Sequence, residues 1–146
     1  MINFSVNQLV GKKIPQSVWS KWFGKIQKNL KLKNDFEVSV GLVGRAEIKK
    51  YNRIYRQKNQ VTDVLSFRQK EAKEIIDQFS LNYLGEIVIC YPQAVLQAQK
   101  AGWSVNQEIQ ALVIHGFLHL LGYDHEKSAK AAKIMEDLQA KIIASL

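Results

Sequence analysis

Histidine occurs three times in this 146-residue chain, and all three lie in one stretch, His115-Gly116-Phe117-Leu118-His119-Leu120-Leu121-Gly122-Tyr123-Asp124-His125. His115 and His119 are four apart, so on a helix they project from one face, one turn above the other. Gly122 suits the helix end, where the chain leaves the helical path, often through a left-handed residue. The turn Gly122-Tyr123-Asp124 then swings His125 back toward the same point. Three imidazoles from a helix and the turn after it predict a catalytic metal site, with a fourth position left open for water. One Zn2+ per chain is the expectation, although nickel or another divalent ion would bind the same imidazoles.

A three-histidine zinc lowers the pKa of its bound water toward neutrality, which points to hydrolysis. The spacing first suggests a peptidase of the H-E-x-x-H-x-x-G-x-x-H kind, in which the Glu after the first His is the general base. Here Gly116 stands in that place. Without the carboxylate, peptide hydrolysis loses a group worth about 10²–10⁴-fold in rate. Asp124 could instead orient a histidine. A phosphodiester fits better. It is anionic, and its cleavage calls for charge stabilisation at phosphorus, which the planar fork of arginine provides. Arg45, Arg53, Arg56 and Arg68 are available, and residue chemistry alone does not choose among them.

The charge distribution agrees. Residues 1–58 carry 13 Lys/Arg against 3 Asp/Glu, and residues 59–146 carry 8 against 10, so the front of the chain holds the whole excess of a +8 protein. Such a basic face favours a polyanion. No apolar run approaches the ~18–20 residues of a membrane span, so no membrane partner is expected. Met1-Ile2-Asn3-Phe4 lacks the basic start of a secretory signal. The one cysteine, Cys90, lies in an apolar run and reads as a core residue; it suits a reducing, cytoplasmic location.

The elements that must position this chemistry follow from hydrophobic periodicity. Residues 2–7 and 36–43 alternate as strands. Val18, Trp19, Trp22, Phe23, Ile26 and Leu30 recur at helical spacing after Pro15. A basic helix is expected from Arg45 to about Lys58, with Ile48, Tyr51, Ile54 and Tyr55 inward. Val61–Phe67 reads as a third strand. Lys70–Phe79 fits a short helix or an irregular excursion. Leu84–Tyr91 reads as a central strand. Helices follow from Pro92 to about Lys100, from Val105 to Leu121, and from about Ser128 to Ala144, the last with Ile134, Leu138, Ile142 and Ile143 on one side. The expected fold is α+β in one domain, residues 1–146. It has a small mixed four-stranded sheet with about five helices packed on it, and the metal site at the end of a central helix.

Residues 115–125 match in full the pattern H-G-x-L-H-L-x-G-Y-D-H, and in this the chain resembles the YbeY family of endoribonucleases. Two further blocks of that family are similar here. One is Tyr51-Asn52-Arg53-Ile54-Tyr55-Arg56, then Asn59, then Val61-Thr62-Asp63-Val64-Leu65-Ser66-Phe67-Arg68. The other is Leu84-Gly85-Glu86-Ile87-Val88-Ile89. The resemblance implies a zinc-dependent, single-strand-specific endoribonuclease that matures ribosomal RNA, at the 3′ end of 16S rRNA, and takes part in ribosome quality control. Its partners would be single-stranded RNA and the small ribosomal subunit, with no DNA expected. It implies zinc on His115, His119 and His125, and it singles out Arg56 as the catalytic arginine. The attacking group, water or the ribose 2′-OH, stays open. The chain departs from the family pattern at Asn59, where Asp is usual, and at Val61 and Arg68, where Pro is usual. These put the loop before the third strand in question.

Lys49, Arg53 and Arg68 are candidate contacts to the RNA backbone, and Tyr51, Tyr55 or Tyr123 could stack on unpaired bases. The competing readings are a metal-dependent hydrolase of another substrate and a non-enzymatic ribosome assembly factor with structural zinc. The latter would gain support if Cys90 were a fourth ligand.

Overall fold

The computed structural model describes residues 1–69 and 82–145, and the Lys70–Phe79 segment lies outside them. The elements are β1 (Ile2–Gln8), α1 (Gln16–Leu30), β2 (Phe36–Val43), α2 (Arg45–Arg56), β3 (Val64–Arg68), β4 (Tyr83–Cys90), α3 (Tyr91–Ala101), α4 (Val105–Leu120) and α5 (Ala129–Ala144). The four strands form one mixed sheet in the order β1-β2-β4-β3. β1 pairs parallel with β2, and β2 with β4. Parallel neighbours need long crossover connections, and α1 supplies the first of them. β3 runs antiparallel to β4, with Val64 opposite Ile89 and Arg68 opposite Gly85. The α+β architecture expected from the periodicity is therefore present, with β2 and β4 central.

The sheet separates two apolar clusters. The larger joins Trp19, Phe23 and Ile26 of α1 to Ile87 and Ile89 of β4, to Ile109, Val113 and Phe117 of α4, and to Met135 and Ile142 of α5. The smaller joins Ile48 of α2 to Val43, Leu65, Val88 and Cys90. Successive β4 residues serve opposite clusters, as the two-residue period of a strand requires.

Several boundaries and faces differ from the sequence expectation. α2 stops at Arg56 because Gln57 takes a left-handed conformation at φ 57°. Val61–Asp63 form the approach to β3 and not the strand itself; the Asp63 carbonyl accepts from the Cys90 amide at 2.8 Å and its Oδ1 from the Val64 amide at 2.8 Å. In α2 the buried residues are Ile48 and Asn52, while Ile54 and Tyr55 are exposed. Asn52 is buried because its Nδ2 donates to the Gln60 carbonyl at 2.9 Å, which pins the loop after α2. In α5 Met135 takes the core position and Ile134 faces out.

α4 carries the first two histidines and is held at both ends. Ser104 and Gln107 form a reciprocal capping box at its start. At its end Gly122 adopts φ +107°, and the Gly122 and Tyr123 amides return to the His119 and Leu118 carbonyls. A side chain at this φ would strain the backbone, so the glycine sets the turn that follows. No helix among the described residues is long and apolar enough to cross a membrane.

Candidate metal centre and cleft

The three histidines converge. Their ring centroids are 4.8, 5.2 and 5.1 Å apart, and one ligand atom from each lies within 4.8 Å of the other two. Among the described residues no cysteine or carboxylate joins this group. Cys90 is fully buried in the smaller cluster, where burial pushes its thiol pKa up. The donor set is thus three imidazoles, which fits a divalent metal of the borderline-soft kind with a position open to solvent.

The second ring nitrogen of His115 has a partner of its own. The Gln139 amide of α5 donates through Nε2 to the Ala111 carbonyl at 3.5 Å, so its Oε1 faces His115 Nδ1 at 3.1 Å. Nδ1 is then the donor, and the lone pair of His115 sits on Nε2, the tautomer a metal ligand needs. Burial is the main cause that lowers the pKa of both His115 and His119 below the ordinary 6.5; for His115 it outweighs the opposing Gln139 bond. The shift favours the neutral rings that ligation requires. Asp124 shapes the turn, where its Oδ1 accepts from the Glu126 amide at 2.9 Å, and its charge acts on His119 against the effect of burial.

Gly116 explains the missing carboxylate. A Cβ there would lie 2.8 Å from Ile87 Cγ2 and 3.2 Å from Ser66 Oγ. The position faces the sheet at contact distance, so a glutamate would need Ile87 and Ser66 to give way. The residue after the first ligand serves helix–sheet packing in this fold.

In front of the histidines lies a cleft of about 760 Å³, which Arg56, Lys58 and Arg68 also line. Arg56 donates from Nη2 to the Ser66 carbonyl at 2.7 Å and from Nη1 to the Tyr55 carbonyl at 3.2 Å. Its guanidinium sits 5.0 Å from the centroid of the Phe67 ring. Arg68 donates from Nε to the His119 carbonyl at 3.1 Å, bracing the last turn of α4 with a cation where a helix end favours one. The departure from proline at position 68 therefore has a structural use. Asn59 and Val61 fall in the loop that Asn52 pins. Lys49 and Arg53 are exposed on α2 and do not line the cleft. Gln139 was missed from the sequence, because it is 24 positions from the ring it orients.

Comparison with known proteins follows the same residues. The family described as Endoribonuclease YbeY matches residues 3–146. An Endoribonuclease YbeY of Sulfurihydrogenibium sp. (strain YO3AOP1) is 42% identical over 122 residues, covering 84% of this chain and 77% of its own. That of Staphylococcus carnosus (strain TM300) is 42% identical over 118 residues, covering 75% and 77%. The solution structure of TM1509 from Thermotoga maritima superposes with a TM-score of 0.62 at 28% identity, covering 98% of this chain and 87% of that one.

Proposed function

Because the chain belongs to the YbeY endoribonuclease family, we propose that it acts as one unit, a zinc-dependent endoribonuclease of the cytoplasm that cuts single-stranded RNA. Its substrate in this reading is ribosomal RNA, at the 3′ end of 16S rRNA, on or near the small subunit, with a part in ribosome quality control. The observation that carries the reading is the meeting of His115, His119, His125 and Arg56 in one cleft.

Zinc bound by the three histidines would supply Lewis acidity and a water of lowered pKa. The protein's own groups do the rest. Gln139 keeps the proton of His115 on Nδ1 and its lone pair toward the ligand position. Arg56, fixed by two carbonyls and the Phe67 ring, faces the developing charge on the phosphate with a planar fork. Arg68 and Lys58 hold the flanking backbone inside the cleft, and Lys49 and Arg53 extend that contact along α2. The wall at Gly116 weighs against a peptidase, which needs a carboxylate there.

The test is cleavage of a labelled single-stranded RNA by metal-loaded protein, beside His119→Ala and Arg56→Ala variants with checked folding. Cleavage should vanish with chelator and in His119→Ala. Arg56→Ala should keep its metal and lose about 10²–10³-fold in kcat, as for removal of one charge-stabilising donor. Equal cutting by all three preparations would assign the activity elsewhere. No cutting by metal-loaded parent protein would leave the assembly-factor reading in its place.

A further inference from the structure

Three tyrosines next in sequence to cleft residues are equivalent stacking candidates in the sequence; none lines the cleft itself, and the structure separates them. The Tyr51 hydroxyl donates to Glu47 Oε1 at 2.7 Å, and that bond, with burial, pushes its pKa up to about 12; its ring packs on the smaller apolar cluster. Tyr123 packs against the larger cluster. Tyr55 is 53% exposed. Its ring meets Phe67 at a centroid distance of 5.3 Å and an interplanar angle of 68°, and the guanidinium of Arg56 lies 5.0 Å from the centroid of the same Phe67 ring. Arg56 also donates back to the Tyr55 carbonyl. The exposed ring and the cleft arginine thus share Phe67 as a neighbour, and the arginine is tied to the backbone of the residue that carries the ring.

We propose that Tyr55 is the platform on which an unpaired base of the RNA substrate stacks while Arg56 holds the adjoining phosphate. The proposal rests on the nuclease reading and adds a source for its preference for single strands. Bases inside a duplex already stack on their neighbours and cannot offer a face to a side chain, whereas an unpaired base can. The surroundings match this occupant. The neighbouring Arg56 lines a cleft that also carries Lys58 and Arg68, which attract a polyanion, and an aromatic ring beside a basic groove is how sequence-tolerant single-strand binding is built. Stacking uses the ring and not the hydroxyl, so phenylalanine should serve as well as tyrosine.

The experiment uses the full chain and a short single-stranded RNA carrying 2-aminopurine, whose fluorescence falls when it stacks, moved position by position along the strand. Binding is measured in chelator and KM and kcat with metal. Tyr55→Ala should weaken binding and raise KM about 5- to 100-fold, remove quenching at one position, and change kcat far less. Tyr55→Phe should match the parent. A Tyr55→Ala protein that binds and quenches like the parent, while the parent cuts RNA, overturns the stacking role alone and leaves the exposed ring to a protein partner. A loss confined to kcat, or a Tyr55→Phe protein as weak as Tyr55→Ala, also overturns it. A parent that neither binds nor cuts RNA removes the nuclease reading and this proposal with it.

Discussion

The two helices that meet at the cleft are built on opposite plans. Eleven of the sixteen residues of α4 are buried, and its histidines project from the end of a rod wedged between the sheet and α5. In α2 only two of twelve residues are buried; it gives the cleft the pinned Arg56, and its outer face is an open shelf. Metal ligands tolerate little positional error, so they are placed by close packing, where each neighbour restricts the next. An RNA strand is long, charged and variable in shape. In the proposed reading a shelf of exposed cations and one ring follows it, with the arginine nearest the chemistry pinned. Changes in α4 should therefore register first in stability or metal content, and changes in α2 first in binding.

The most damaging challenge to this division is Gly116→Glu, which restores the peptidase-like carboxylate. It places a charged side chain against Ile87 and Ser66. The expected outcome is a loss of about 3 kcal/mol or more in unfolding free energy, from overpacking and an unpaired buried charge, with no peptidase activity gained. Denaturant unfolding beside a casein assay checks it. A stable Gly116→Glu protein would mean that α4 is not wedged as described.

Gln139→Leu should be milder. It keeps bulk on α5 but removes the acceptor for His115 Nδ1. Metal affinity should fall about 10- to 100-fold, as for other residues that orient a metal-binding histidine. Competition with a chromophoric chelator reads this directly, and an unchanged affinity would show that His115 needs no orienting partner.

On the shelf the expected effects are smallest. Arg53→Gln should leave the metal content and kcat alone and reduce the slope of log Kd against log salt by about 0.7, one phosphate contact to a single strand. An unchanged slope would confine RNA contact to the cleft and exclude the outer face of α2.

What the sequence disclosed follows the same division. Strand alternation and the spacing of His115, His119 and His125 are local signals, and local signals sufficed for the histidine cluster and for most element boundaries. The order β1-β2-β4-β3 and the reversal of β3 depend on which strands find each other across the chain, and no window of residues records that. The inward face of α2 misled for a more particular reason. Helical phase from Ile48 runs through Asn52, a polar residue buried because it holds a loop carbonyl, and it leaves Ile54 and Tyr55 outside. In α5 the same shift of one position exchanged Ile134 for Met135. Gln139 carried no local signal, because its meaning lies in a histidine on another helix.

That glutamine has a consequence for when the protein becomes competent. Chains emerge from the ribosome N-terminus first and fold in that direction. All three histidines precede α5, yet the amide that orients His115 is on α5, and so are Met135 and Ile142, which close the large apolar cluster against α1 and α4. A nascent chain that has made its last histidine still lacks the side chain that fixes the first one. The site reaches its finished form only when the final helix has been synthesised and docked.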